Sequence, residues 1–227
     1  MLDRLIALDH QLLLMLNGSD SVYWDRVMMT ITHTTTWLFV GACLLLALAR
    51  NNTRRAMLIL IISVAVTILL SDQISSALCK PLFHRLRPSH QPAFGCAVDL
   101  VEGYRGGLSG FISSHAANTF GVAVFLSLVV RHALFAFTVV SWAALCSYSR
   151  IYLGVHYPAD ILCGAAVGSI IAVAVWMLAR RVRYTFDGAR PRYSLRYTST
   201  GYLNADVVWV VASFFATYII ILIKSFL

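Results

Sequence analysis

Two histidines (His115, His156), one carboxylate (Asp160), two serines (Ser113, Ser114) and three cations (Lys80, Arg87, Arg150) are the residues of this oily chain whose types and spacing suit chemistry. They lie in three short polar segments, 80–88 (KPLFHRLRP), 112–115 (ISSH) and 149–160 (SRIYLGVHYPAD). Ammonium and guanidinium groups donate to phosphate oxygens, one imidazole can attack phosphorus, and a second can supply a proton. The set suits holding and transferring a phosphoryl group.

Within the third segment, Pro158 suits the first turn of a helix, and the i, i+4 spacing of His156 and Asp160 brings the carboxylate to the imidazole on one face. Such a carboxylate fixes the tautomer and favours the positive imidazole of a transition state, which makes His156 the candidate nucleophile. His115 falls at a helix start, where free amides face anions, and is the candidate acid for the leaving group. Seen alone, each feature has a plainer reading. The His156–Asp160 pair would serve as a helix-start hydrogen bond, Ser113 as an N-cap, and Arg150 as a side chain snorkelling to headgroups. Lys80 supplies a point charge and Arg87 a planar fork for phosphate oxygens. Arg85 and His84 are less convincing, and Arg85 reads as a basic loop residue attracted to anionic headgroups.

The surrounding elements must be membrane helices. Of 227 residues, 59% are hydrophobic and 12% charged, and the mean hydropathy is +0.75, far from soluble usage. The net charge of +8 does not point to nucleic acid, because the basic residues sit in short breaks between apolar runs rather than in a stripe. A crossing needs about 20 apolar residues. Six stretches qualify: 22–49, 55–78, 110–130, 133–151, 158–178 and 205–227. His33 and Thr34, Thr35 and Thr36 interrupt the first, which is either continuous or a half-buried helix followed by a shorter span. The expected fold is all-α: one membrane-embedded domain over 1–227, a bundle of about six transmembrane helices.

Residues 1–16 carry Leu2, Leu5, Ile6, Leu12 and Leu13 at helical spacing and read as an amphipathic interfacial helix rather than a cleavable signal. Arg50, Arg54 and Arg55, then Arg131, then Arg180, Arg181, Arg183, Arg190, Arg192 and Arg196 mark three breaks on one side if there are six crossings. That side is expected to be cytoplasmic, with 180–204 as a basic loop. The three polar segments then fall on the other face. The loop 89–109, with Pro92, Gly95, Gly103, Gly106 and Gly107, should be irregular, and a loop beside the site can either cap it or admit substrate. Among five cysteines no metal spacing occurs; Cys43, Cys146 and Cys163 read as buried small hydrophobes, and Cys79 and Cys96 flank the first segment as a candidate disulfide.

Lys80 with Arg87-Pro88 seven residues on, Ser113-Ser114-His115, and Ser149-Arg150 followed by His156 and Asp160 resemble the three-part signature of the type 2 phosphatidic acid phosphatase family, which shares its site with vanadium haloperoxidases. The middle motif, usually Pro-Ser-Gly-His, has Ile112 for proline and Ser114 for glycine. The resemblance implies catalytic roles for His156, Asp160 and His115. It implies phosphate binding by Lys80, Arg87, Ser113, Ser114 and Arg150, and no metal or other cofactor.

The expected activity is metal-independent hydrolysis of a lipid phosphomonoester or pyrophosphate through a phosphohistidine. By resemblance, the candidate substrates are undecaprenyl pyrophosphate, phosphatidylglycerol phosphate, phosphatidic acid and the phosphates of lipid A. The compact six-span layout suggests a bacterial inner-membrane enzyme facing the periplasm, whose partners are lipid phosphate and bilayer, with no nucleic acid. Alternatives are a lipid-phosphate phosphotransferase, or a carrier or flippase that binds phosphate without turnover. A soluble haloperoxidase does not fit so apolar a chain.

Overall fold

An apolar run in hydrocarbon must satisfy its own backbone, and the apolar stretches of this chain are accordingly helical. The computed structural model describes residues 2–92, 97–187 and 195–227. The helices are α1 (Leu2–Leu16), α2 (Val22–Thr32), α3 (Leu38–Asn51), α4 (Arg54–Asp72), α5 (Lys80–Phe83), α6 (Ser114–Val130), α7 (Ala133–Tyr152), α8 (Pro158–Asp187) and α9 (Asn204–Phe226). Among the described residues, five helical stretches are long and apolar enough to cross a membrane: Thr34–Asn51, Arg54–Phe83, Ala133–Tyr152, Pro158–Arg183 and Asn204–Phe226. The sixth apolar helix, α6, has only 17 residues. It packs against α4, α7 and α8, and Ala116, Ala117, Ala123 and Phe125 are fully buried. A helix enclosed by others meets less of the lipid, so its shortness is tolerable.

Of the two readings of 22–49, the interrupted one holds, and the stretch is two helices. His33 leaves helical geometry, and a 3-10 turn, Thr34–Trp37, joins α2 to α3. Trp37 Nε1 donates to Ile31 O at 2.9 Å and Thr36 Oγ1 to Thr30 O at 2.7 Å. These side chains satisfy carbonyls that the break removes from the helical ladder, which is why an interruption at membrane depth is stable here.

Lipid offers no hydrophobic drive between helices, so packing must come from close approach and polar contacts. The α6–α8 seam shows the first: a Cβ at Gly168 would lie 2.0 Å from Ala117 O, and one at Gly164 2.5 Å from Ser113 O. Hydroxyls inside the bundle bond back to their own helices, as Thr67 does to Ser63 O (2.8 Å) and Thr217 to Ser213 O (2.8 Å). Outward positions such as Phe39, Leu162, Ile170 and Trp209 are exposed apolar side chains, as a lipid-facing belt requires. Cys146 is buried, whereas Cys43 and Cys163, expected to be buried, are half-exposed. The expected Cys79–Cys96 disulfide involves a residue outside the described ones.

The arginine-bearing breaks gather at one end. Asn52 bonds Tyr202 and accepts from Arg183, Asn51 bonds Asp206, and Thr200 donates to Val130 O beside Arg131. The three polar segments gather at the other. Among the described residues, the arginine-rich end and the candidate site therefore lie at opposite ends of the bundle, as the charge pattern requires.

Candidate active site

Each of the three polar segments is delivered by a helix end. The path of α4 widens into a π-helical turn, Gln73–Cys79, before α5 begins at Lys80. Such turns re-aim the residues that follow and recur at functional sites. Lys80 Nζ donates to Ser114 Oγ at 2.8 Å and to Ser76 Oγ at 3.1 Å, and Ser76 donates to Asp72 Oδ1 at 3.2 Å. Ser114, which replaces the glycine of the family signature, thus ties the first motif to the second. Ser76 and Asp72 were not legible as site residues, because nothing in their own spacing sets them apart.

Ser113 caps α6 by accepting the Ala116 amide at 3.3 Å, the plainer of its two sequence readings, while its hydrogen remains able to donate. Its own amide donates to Asp160 O at 3.1 Å. This single bond joins the helix start that carries His115 to the helix start that carries Asp160.

Arg87 and Arg150 are buried cations without a carboxylate partner among the described residues. Arg87 Nε donates to Ser109 O (3.2 Å), and Arg150 donates from Nη1 to Thr32 (2.7 Å) and from Nη2 to Tyr104 OH (3.1 Å). Arg87 Nη1 and Arg150 Nε are buried with no hydrogen-bond partner among the described residues. Burial, and next the charge of Arg150, pull the proton affinity of Arg87 below its ordinary value. Buried cations that repel one another and keep free donors are stabilised by an anion. Among the described residues of the loop over 89–109, which include the 3-10 turns Pro88–His90 and Val101–Gly103, Tyr104, Gly106 and Ser109 lie against these cations. At Gly106 (φ +65°) a Cβ would lie 2.3 Å from Arg87 Nη1, so only glycine permits that approach.

His156 and Asp160 are both buried, with Nδ1 3.4 Å from Oδ2. Asp160 Oδ2 also accepts the Tyr157 amide at 3.1 Å. With Nδ1 turned to the carboxylate, the Nε2 lone pair of a neutral His156 is available for attack. Burial pushes the pKa of His156 down to about 4, outweighing the support of Asp160, while Arg87 and Arg150 lower it further. His156 is thus an uncharged base at neutral pH. His115 lies within electrostatic reach of His156 and Arg150. All eight residues singled out by the sequence therefore converge at one end of the bundle. Among the described residues, no three His, Cys, Asp or Glu side chains are placed to hold a metal ion.

A histidine whose folded-state pKa is depressed binds its proton better when unfolded, so stability declines as pH falls from about 6.5 towards 4. His156→Asn, which keeps a donor for Asp160 but does not titrate, should lose less thermal stability than wild type between about pH 7 and 5. The difference is limited to about 1.4 kcal/mol per pH unit. Melting curves in detergent at each pH check this, and parallel slopes would contradict it.

Arg85 requires a correction. It is not a loop residue directed to headgroups: Nη1 donates to Asp160 Oδ1 at 2.8 Å and Nη2 to Asp9 Oδ2 at 2.6 Å. Asp9, on α1, was likewise missed, because a lone acid on an amphipathic helix reads as its solvated face. The helix itself forms as expected, but its inward side carries Asp9 and Leu13 while Leu5, Leu8, Leu12 and Met15 are exposed.

Comparison with known proteins agrees with this site. Residues 57–184 match the family model of the PAP2 superfamily. The lipid A 4'-phosphatase of Bacteroides thetaiotaomicron is 37% identical over 192 residues, covering 84% of this chain and 85% of that protein. The lipid A 4'-phosphatase of Porphyromonas gingivalis is 36% identical over 188 residues, covering 83% and 80%. The decaprenylphosphoryl-5-phosphoribose phosphatase of Mycobacterium tuberculosis is 34% identical over 100 residues, covering 44% of this chain and 51% of that protein. No solved structure matches the chain. The family match spans all three polar segments and most of α8, and with relatives alike over most of their length, the chain belongs to the PAP2 superfamily of type 2 phosphatidic acid phosphatases and is a bacterial membrane lipid phosphatase.

Proposed function

We propose that this enzyme removes a phosphate monoester from lipid A at the periplasmic face of the inner membrane, through a phosphohistidine on His156. The observation that carries the chemistry is the convergence of Lys80, Arg87 and Arg150 on a buried, neutral His156 paired with Asp160. The choice of lipid A rests on the two lipid A 4'-phosphatases that match this chain over more than four-fifths of its length. The periplasmic face follows from the arginine-rich end being cytoplasmic.

The phosphate dianion is held by Lys80, Arg87, Arg150 and the first amides of α6. The Nε2 lone pair of His156 attacks phosphorus, the phosphorus–ester oxygen bond breaks, and His115 gives its proton to the departing sugar alkoxide. The bound dianion favours the protonated His115 that this step needs. Asp160 stabilises the positive imidazole as the phosphorus–nitrogen bond forms. Water then attacks phosphorus, its proton passes to His115, the phosphorus–nitrogen bond breaks, and orthophosphate leaves with both imidazoles restored.

Purified enzyme in mixed micelles should release orthophosphate from lipid A in chelator-treated buffer and faster than from undecaprenyl pyrophosphate, phosphatidylglycerol phosphate or phosphatidic acid. Mass spectra of the lipid should show the loss of one phosphate. A preference for another lipid overturns the substrate assignment, and phosphate recovered on an acceptor instead of free identifies a phosphotransferase. Alkaline phosphatase fused after α9 should be active in cells, since α9 runs from the arginine-rich end to the end that holds the site. An inactive, stably expressed fusion would reverse the orientation.

His115→Asn should slow turnover of a natural alkyl ester by about 10²-fold or more. An aryl phosphate, whose leaving group needs no proton, should be affected far less in the bond-breaking step. Equal losses in the burst phase for both substrates would remove His115 from the role of acid.

A further inference from the structure

Arg85 is held from three sides. One nitrogen donates to Asp160, the other to Asp9, and its guanidinium carbon lies 4.0 Å from the centroid of the Tyr157 ring. The second oxygen of Asp9 accepts the Ala159 amide at 2.9 Å, in the first turn of α8, and His10 stacks on Tyr157 at 5.1 Å. Helix α1 therefore grips both Arg85 and the 156–160 turn. The two oxygens of Asp160 are divided: Oδ1 faces Arg85, while Oδ2 faces His156 Nδ1 and the Tyr157 amide. A carboxylate held on one oxygen by a planar, rigid donor cannot rotate the other away from the imidazole.

We propose that Arg85 and Asp9 are positioning residues for the nucleophile, Arg85 fixing Asp160 against His156 and Asp9 holding Arg85 in place while neutralising its charge. The inference rests on the reading of His156 as nucleophile. It gives α1 a part in the reaction: the helix whose outer side is Leu5, Leu8, Leu12 and Met15 supplies from its inner side the counter-charge of the Asp160 clamp.

The electrostatic consequence has opposite signs for the two residues. His156 is faced by Asp160 from α8, Arg150 from α7, His115 from α6 and Arg87 from the first polar segment, and by Arg85 through Asp160. Removing the Arg85 cation leaves the negative charge of Asp160 undiluted, so the imidazole should hold its proton to higher pH. Removing the charge of Asp9 leaves Arg85 uncompensated, so the imidazole should lose its proton at lower pH.

The test is the acid limb of the kcat/KM profile, which reports the free enzyme, for full-length protein in micelles with a lipid phosphomonoester. Arg85→Met should move that limb up by about half a pH unit or more, and Asp9→Asn should move it down. Both should lower kcat by about tenfold or more, as misplacement of a catalytic group does. The double variant, which removes a neutral pair, should return the limb close to wild type while kcat stays low. Arg85→Lys, which keeps the charge but not the fork, should leave the limb in place and restore part of kcat, and it provides a reading if Arg85→Met fails to fold. Limbs that stay fixed, or that move the same way in both single variants, would overturn the proposal and leave a purely structural pair. Radiolabelled phosphohistidine trapped by an alkaline quench, which the phosphorus–nitrogen bond survives as it would not survive acid, separates the two readings in the wild-type protein. Its absence tells against His156 as nucleophile, whereas its presence with unmoved limbs tells against the clamp alone.

Discussion

His156→Asn should abolish turnover, lowering kcat/KM by about 10⁴-fold or more while the protein still folds and still binds phosphate. Loss of a nucleophile that acts with its orienting partner as a unit has effects of this size, because what remains is binding and electrostatic stabilisation alone. The asparagine amide reproduces the donor that His156 Nδ1 presents to Asp160, now 3.4 Å away, so the buried carboxylate keeps a partner. Binding should survive because Lys80, Arg87 and Arg150 are held by other elements: Lys80 by Ser76 and Ser114, Arg87 by Ser109, and Arg150 by Thr32 and Tyr104. Titration with vanadate or phosphate, read by thermal shift, measures that binding. A variant retaining more than about one per cent of wild-type kcat/KM would remove His156 from the nucleophile's role. One that binds no anion would mean that His156 is also required to build the site.

The second large effect lies far from any reacting atom. Gly168→Ala should separate α6 from α8 and lower both stability and activity, although it adds one methyl group within the bundle. The new Cβ would lie 2.0 Å from the carbonyl oxygen of Ala117 and 2.9 Å from its Cα, and backbone cannot turn aside as a flexible side chain can. Overpacking of this kind costs about 1–3 kcal/mol. The same two helices carry His115 and the His156–Asp160 pair at their starts, joined by the bond from Ser113 N to Asp160 O. Activity should therefore fall about tenfold or more, since catalysis is sensitive to displacements of about 1 Å. Gly41→Ala is the control: a Cβ there meets nothing within 4 Å, so both properties should stay near wild type. Equal behaviour of the two variants in melting and turnover would show that the seam does not set the site's geometry.

These expectations draw on different parts of what was legible in the chain. The His156–Asp160 pair was readable because four residues make about one helical turn, so spacing alone brings Asp160 to His156. Membrane residence and the separation of an arginine-rich end from the site were readable too, since desolvation of backbone and charge acts on each segment independently of its neighbours. The interruption after Thr32 was readable as a possibility only. What makes it stable is Trp37 and Thr36 reaching back to the carbonyls of Ile31 and Thr30, which depends on how the turn closes.

The assignment of Arg85 failed for a related reason. One basic residue in a short loop at a membrane surface has the same local signature whether it meets lipid headgroups or a buried carboxylate. Its partners, Asp9 and Asp160, are 76 and 75 residues away in opposite directions. Ser114 stands between these cases: its departure from the family's glycine was visible, but its bond to Lys80 across 34 residues was not.

The sequence by itself determined that this is a membrane bundle carrying a phosphate-transfer motif set, with His156 and Asp160 on one helical turn. Those properties follow from transfer free energies and from the 3.6-residue period, which act locally. Only the tertiary structure decided which cations lack a carboxylate partner, which serine holds Lys80, and that the N-terminal helix reaches the orienting carboxylate through Arg85. Those depend on distances between residues far apart in the chain, which the close packing of α6 against α8 and the docking of α1 bring within hydrogen-bonding range.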